Sequence, residues 1–191
     1  LGVITAASFT SAETTSALFS ANIDFGPGEL PITERGVCWS TSENPTIDDQ
    51  KVTNAPGTGE FNVEIIDLAS NTDYHARVYA LNDRGIVYSD NIPFSTLGLP
   101  IITSSSISDI TITSAAAGGF ITDDGNASVT SRGVVWSTSV DPTIDLPTKT
   151  SDGSGIGQFT SAITGLVKNT TYNVKAYATN SVGTSYGQTI S

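Results

Sequence analysis

The pair of residues that most invites nucleophilic chemistry in this chain is Cys38 with the single histidine, His75. On neighbouring strands of one sheet, a thiolate and an imidazole could form a nucleophile and its base. The chain repeats itself, however, and the second copy has Val135 and Asn173 at these positions. The sequence offers neither a third residue to orient the base nor a glycine-rich oxyanion loop. We therefore expect no enzyme, and read Cys38 as a small buried apolar residue. A lone histidine cannot assemble a zinc site.

Asp123-Asp124-Gly125-Asn126 gathers oxygen ligands in one turn, but it lacks the further carboxylates that complete a calcium site. No metal or other cofactor is expected. Trp39, Trp136, Tyr79, Tyr177, Tyr88 and Tyr186 are aromatic surfaces on which the apolar faces of sugars could stack. All six lie at equivalent positions in the two copies, which favours packing. The ligand-binding candidates are thus Tyr79, Tyr177, Asp123, Asp124 and Asn126. Asn126-Ala127-Ser128 and Asn169-Thr170-Thr171 match the N-glycosylation pattern, which is frequent by chance.

The repeat is the strongest signal. Gly36-Val37-Cys38-Trp39-Ser40-Thr41-Ser42 returns 97 residues later as Gly133-Val134-Val135-Trp136-Ser137-Thr138-Ser139, and each copy continues into Pro-Thr-Ile-Asp. After a one-residue slip, Leu68-x-x-Asn71-Thr72-x-Tyr74 returns as Leu166-x-x-Asn169-Thr170-x-Tyr172. Tyr79-Ala80-x-Asn82-x-x-Gly85 returns as Tyr177-Ala178-x-Asn180-x-x-Gly183. The expected domains are residues 1–97 and 98–191, joined by a short linker, Ser95 to Pro100, that has no acidic residue.

The ends fit a longer array. Leu1-Gly2-Val3-Ile4-Thr5 resembles Leu97 to Thr103, so an earlier repeat is expected upstream, with a strand from Val3 additional to the first sandwich. The second copy stops at Ile190-Ser191, before the position of Phe94, so its last strand reads as clipped. Leu1-Gly2-Val3 has neither a basic stretch nor a cleavage pattern, which suggests mature or excised sequence.

Short β-rich runs divided by turn residues, with no sustained 3.6-residue period, make this an all-β chain. Ala17, Phe19, Ala21 and Ile23 alternate with Leu18, Ser20 and Asn22. Phe61, Val63 and Ile65 likewise take every second position, as do Tyr74, Ala76, Val78 and Ala80 and their counterparts Tyr172, Val174, Ala176 and Ala178. These are the expected inner faces. Turn residues at Gly26-Pro27-Gly28, Asp124-Gly125-Asn126, Asp152-Gly153 and Asn82 to Gly85 separate the strands.

The 191 residues carry 19 acidic and 8 basic side chains, a net charge of −11. Nucleic acids and anionic membranes are bound by neutralising phosphates, so neither is an expected partner. The acidity is uneven: residues 1–97 hold 13 acids and 4 bases, and residues 98–191 hold 6 and 4. No apolar run approaches the ~18 residues that span a bilayer, so no transmembrane segment is expected. One cysteine excludes an intrachain disulfide.

Leu68 to Tyr74 and Leu166 to Tyr172 resemble the tyrosine corner of fibronectin type III domains, in which a tyrosine hydroxyl bonds back to nearby backbone. Val78-x-Ala80-x-Asn82-x-x-Gly85 is similar to that family's F strand and following turn. The Arg-Gly-Val-x-Trp-Ser and Asn-Pro-Thr or Asp-Pro-Thr motifs resemble repeats of large surface and secreted proteins of Bacteroidota. The resemblance covers nearly all of both copies. It implies two tandem fibronectin type III or immunoglobulin-like β-sandwiches, extracellular or at a cell surface, acting as spacer, stalk or adhesive array. Partners would be neighbouring repeats, surface glycans or other surface proteins. Trp39 and Trp136 sit on the third strand, as in immunoglobulin domains, whereas fibronectin modules carry their core tryptophan on the second. The alternatives are an accessory carbohydrate-binding pair of a secreted glycoside hydrolase, using Gly26 to Pro31 or Asp123 to Asn126, and a filament subunit completed by its neighbour's strand.

Overall fold

The computed structural model describes residues 3–24 and 30–191. Every regular element among them is a β-strand, every pairing is antiparallel, and no helix occurs among the described residues. The chain divides into two compact units, Leu1–Leu97 and Gly98–Ser191. Leu1 and Gly2, and the Gly26-Pro27-Gly28 turn with most of the Gly26 to Pro31 loop, lie outside the described residues.

In the first unit, β1 (Val3–Ala12), β2 (Ala17–Asp24) and β5 (Gly59–Ile65) form one sheet in the order β1-β2-β5. The second sheet runs β4 (Gln50–Asn54), β3 (Glu34–Ser40), β6 (Asp73–Asn82), β7 (Gly85–Tyr88), and β8 (Ile92–Ser95) also pairs with β6. The strand from Val3 is not additional to these sheets. It is the edge strand β1, paired with β2 from Val3↔Asp24 to Ala12↔Ala17 through two register shifts.

The period-2 alternation determines what meets between the sheets. Ala17, Phe19, Ala21 and Ile23 of β2 and Phe61, Val63 and Ile65 of β5 face Val37 of β3 and Ala76, Val78 and Ala80 of β6, forming one buried core. Phe19 is 1% exposed; truncating such a ring to alanine typically costs about 3–5 kcal/mol. Phe9, Phe19, Phe94 and Tyr74 close one end of this core. Phe94 lies 5.2 Å edge-on from Phe19, and it stacks on Phe9 at 5.8 Å and on Tyr74 at 5.4 Å.

The second unit repeats the plan with fewer strands. β9 (Ile101–Ser104), β10 (Ser114–Asp123) and β12 (Gly157–Thr164) form one sheet; β11 (Ser131–Ser137), β13 (Asn173–Thr179) and β14 (Thr184–Tyr186) form the other. Where the first unit has β4, the second has Thr148 to Thr150, held by Trp136 N–H to Thr148 O (3.0 Å) and Thr150 N–H to Val134 O (2.9 Å). Its core is leaner: Ala117 stands where the first unit has Phe19, and Ile107 where it has Phe9.

Candidate functional site

β3 and β6 pair with Cys38 opposite Arg77 and Ser40 opposite His75, so Cys38 and His75 lie on one face, diagonally related. Each has another task. The Cys38 thiol is fully buried and donates toward Pro45 O (3.4 Å) and Arg77 O (3.5 Å). Burial pushes it up to about 11, away from the thiolate a nucleophile requires. His75 Nδ1 meets Asn91 Nδ2 at 2.8 Å, and Asn91 Oδ1 accepts from Asn44 N–H at 3.0 Å. The histidine therefore pins the loop after β3. In the second unit Asn173 reaches the same loop, donating to Ser139 O at 3.2 Å.

That loop explains the tyrosines. Pro-Thr-Ile-Asp folds over the outer face of the second sheet, where Ile47 N–H donates to the Tyr88 hydroxyl (3.1 Å) and Ile144 N–H to the Tyr186 hydroxyl (3.0 Å). Arg77 lies over the Tyr88 ring at 4.4 Å and Lys175 over Tyr186 at 4.9 Å. Tyr79 is 0% exposed and Tyr177 4%, so neither ring presents a face to a sugar. The Tyr79 hydroxyl donates to Glu34 Oε1 (2.7 Å) and that of Tyr177 to Thr150 O (2.6 Å). Tyr79 and Lys51 together hold the Glu34 carboxyl below its ordinary value, while burial and Glu34 raise the Tyr79 phenol.

The Asp123 to Asn126 turn uses its carboxylates on its own backbone. Asp123 Oδ1 accepts from Gly125 N–H (2.7 Å) and Asp124 Oδ1 from Asn126 N–H (3.1 Å), which suits the left-handed φ of 72° at Gly125 and 57° at Asn126. The turn is further held from Asn180, whose Nδ2 donates to Asp124 O (2.8 Å) and Gly98 O (2.7 Å). Asp123, Asp124 and Asn126 are thus brought together, on a different unit from Tyr79 and on a different sheet from Tyr177.

Both tyrosine corners are formed. The Tyr74 hydroxyl accepts from Ala69 N–H at 3.0 Å and that of Tyr172 from Val167 N–H at 3.2 Å. The asparagines between take left-handed φ of 48° at Asn71 and 57° at Asn169, a conformation asparagine tolerates better than most residues.

Sequence reasoning passed over the arginine before each repeated glycine. Arg35 lies on the core side of β3, 4.3 Å over the Phe61 ring, and donates to Ala55 O (2.7 Å) and Gly59 O (3.2 Å). Arg132 does the same over Phe159, donating to Asp152 O (3.3 Å), Gly155 O (3.1 Å) and Ile156 O (3.0 Å). Each guanidinium clamps the turn leading into the next strand of the opposite sheet. The signal was the recurrence of Arg-Gly at the head of both motifs.

One open cleft of about 750 Å³ lies in the first unit, with Trp39 and Tyr74 among its walls and Asp48, Asp49, Glu64 and Asp67 around it. Three of those four carboxylates have no counterpart in the second copy, which places Leu146, Ala162 and Gly165 there. Among the described residues, no group of three or more His, Cys, Asp or Glu side chains is arranged to hold a metal ion. No helix is long and apolar enough to cross a membrane. No family model matches the chain, and no curated protein matches it.

Proposed function

We propose that this chain is a pair of fibronectin type III-like β-sandwiches serving as a non-catalytic structural or adhesive module of a larger extracellular or cell-surface protein. The observation that carries this reading is what the repeat preserves. The Arg35 and Arg132 clamps, the Tyr88 and Tyr186 loop anchors and the Tyr74 and Tyr172 corners recur with their bonding partners. The exposed carboxylates Asp49, Glu64 and Asp67 do not recur, their positions being taken by Leu146, Ala162 and Gly165. Selection for two matching scaffolds, without matching surface chemistry, is what a spacer requires. Strand order supports the fibronectin label over the constant immunoglobulin one. β4 pairs with β3, whereas the immunoglobulin constant domain puts its fourth strand beside the fifth, in the sheet of the first two.

A second reading, an accessory carbohydrate-binding module, is favoured by the cleft of the first unit, where a half-buried Trp39 lies among carboxylates able to accept sugar hydroxyls. A glycan array separates the two. The spacer reading predicts no saturable binding at high protein concentration. Saturable binding to one sugar class, lost in the double variant Glu64→Ala and Asp67→Gly that copies the second unit, would replace it with the carbohydrate reading.

A further inference from the structure

One connection in the first unit depends on the charge of the side chain that makes it. The backbone N–H of Asn44 can only donate, so the Asn91 oxygen that accepts from it (3.0 Å) fixes which way that amide points. The Asn91 nitrogen then meets His75 Nδ1 at 2.8 Å as the donor. Nδ1 must therefore be the unprotonated nitrogen, an acceptor that only the neutral ring has. A proton added at Nδ1 turns that acceptor into a donor facing a donor. Turning the Asn91 amide over to meet it would leave the Asn44 N–H facing a nitrogen. The two bonds cannot coexist with an imidazolium, and either way the loop after β3 loses its tie to β6.

Among the described residues, Asn91 is the only side chain outside the loop that hydrogen-bonds residues 41–44. The next stretch, Pro45 to Ile47, is held separately, by the Cys38 thiol and the Tyr88 hydroxyl. The second unit keeps the same loop shape. Asn44 and its counterpart Asp141 share a left-handed φ of 58° and 61°, and the bond from Ser42 N–H to Ser40 Oγ recurs from Ser139 N–H to Ser137 Oγ. Its tie, however, contains no imidazole: Asn173 Nδ2 donates directly to Ser139 O (3.2 Å), and Lys175 pairs with Asp141 (2.7 Å).

We propose that His75, Asn91 and Asn44 form a proton-operated latch, which docks the loop from Thr41 to Asn44 while the imidazole is neutral and releases it as the pH falls and the ring is protonated. Ser40, opposite His75 on β3, and Thr41 line the first unit's cleft beside Trp39, so release loosens one wall of that cleft. The latch does not depend on what the cleft binds. The charged groups around it are Asp73 and Arg77 on β6, Asp90 next to Asn91 and Glu43 next to Asn44. Asp73 accepts from Ser95 Oγ (2.6 Å), while Arg77 donates to Ser89 O (2.9 Å) and lies over Tyr88. The cross-strand neighbours of His75, Ser40 on β3 and Pro93 on β8, carry no charge. Histidine is the side chain whose charge ordinarily changes between pH 5 and 8, and the chain has one, so a loop response in that interval is assigned to His75.

The test is backbone NMR relaxation of the full chain at pH 8 and pH 5. Order parameters of residues 42–44 are expected to fall from about 0.85, a rigid backbone, toward about 0.6, a flexible one, while residues 139–141 of the second unit keep theirs. Two variants locate the cause. His75→Asn, which copies Asn173, should make the first loop as insensitive to pH as the second. Asn91→Asp supplies a carboxylate that accepts from the Asn44 N–H and from an imidazolium together, so the loop should stay ordered at pH 5. Equal order of residues 42–44 at both pH values in the unaltered chain would overturn the proposal. So would a loosening at pH 5 that persists unchanged in His75→Asn or in Asn91→Asp, or one that the second loop shows to the same extent.

Discussion

At the scale of single residues, the repeated Arg-Gly pair shows how little room the sheet leaves. A Cβ at Gly36 would run into the Val52 carbonyl, and one at Gly133 into that of Thr150. Gly36→Ala and Gly133→Ala should each destabilise their own unit by about 1–3 kcal/mol, the range for overpacking, read as a lower urea midpoint at unchanged m-value. Cys38 supplies a pH test. Its thiol ionises in the unfolded chain near ~8.5 but is held at about 11 in the fold by burial. Below the unfolded value both states keep the proton, and the stabilisation is complete. As pH rises past it the unfolded chain loses the proton first, so stability should fall from about pH 8.5 until about 11. Cys38→Val, the residue at the equivalent Val135, should flatten this slope in urea titrations across that range. A slope that survives the exchange only above about pH 10, where an unfolded tyrosine ionises, would belong to the Tyr79 phenol, which is raised in the same direction.

At the scale of elements, the inner face was legible and the outer face was not. Alternation in β2, β5 and β6 identified Phe19, Val63 and Val78 as core because a half-buried strand repeats every two residues. The same alternation put Tyr79 on the opposite face, correctly, yet that residue is buried too, and on that face a loop bearing Pro45 to Ile47 bonds Cys38 and Tyr88. A covering loop has no period, so nothing within either strand announces it. Its only trace was that Pro-Thr-Ile-Asp and the tyrosines of β7 and β14 recur together. Among the candidate ligand residues, Tyr79 and Tyr177 are buried on that face, while Asp123 and Asp124 accept from the backbone of their own turn. Removing the anchor tests the loop's role. Tyr88→Phe strands the Ile47 N–H and should cost about 0.5–1.5 kcal/mol, one net hydrogen bond, and Tyr186→Phe should do the same for Ile144. Amide exchange should accelerate at Ile47 or Ile144 while the β3 and β11 amides keep their protection; uniform acceleration would mean the loop is an integral part of the sheet's stability.

At the scale of the whole molecule, two units of one design carry different cores, and their stabilities should differ accordingly. The first unit has four rings joined by four ring pairs at 5.2–5.8 Å, each pair contributing about 0.5–1.5 kcal/mol beyond its buried area. At three of those positions the second unit has Tyr172, Ala117 and Ile107, so one tyrosine is kept and two phenylalanines are replaced. Its opening should therefore dominate hydrogen exchange at low denaturant, with β10 and β13 exchanging through a smaller free energy than β2 and β6. Phe94→Ala makes the comparison causal. Phe94 is 6% exposed and touches the other three rings, so truncation should cost the first unit about 3–5 kcal/mol and bring β2 and β6 close to the exchange level of β10 and β13. If the variant instead left the first unit well above the second, the asymmetry would lie in the sheets, where β4 pairs five residues of β3 and its counterpart around Thr148 to Thr150 pairs only locally, and not in the aromatic end of the core.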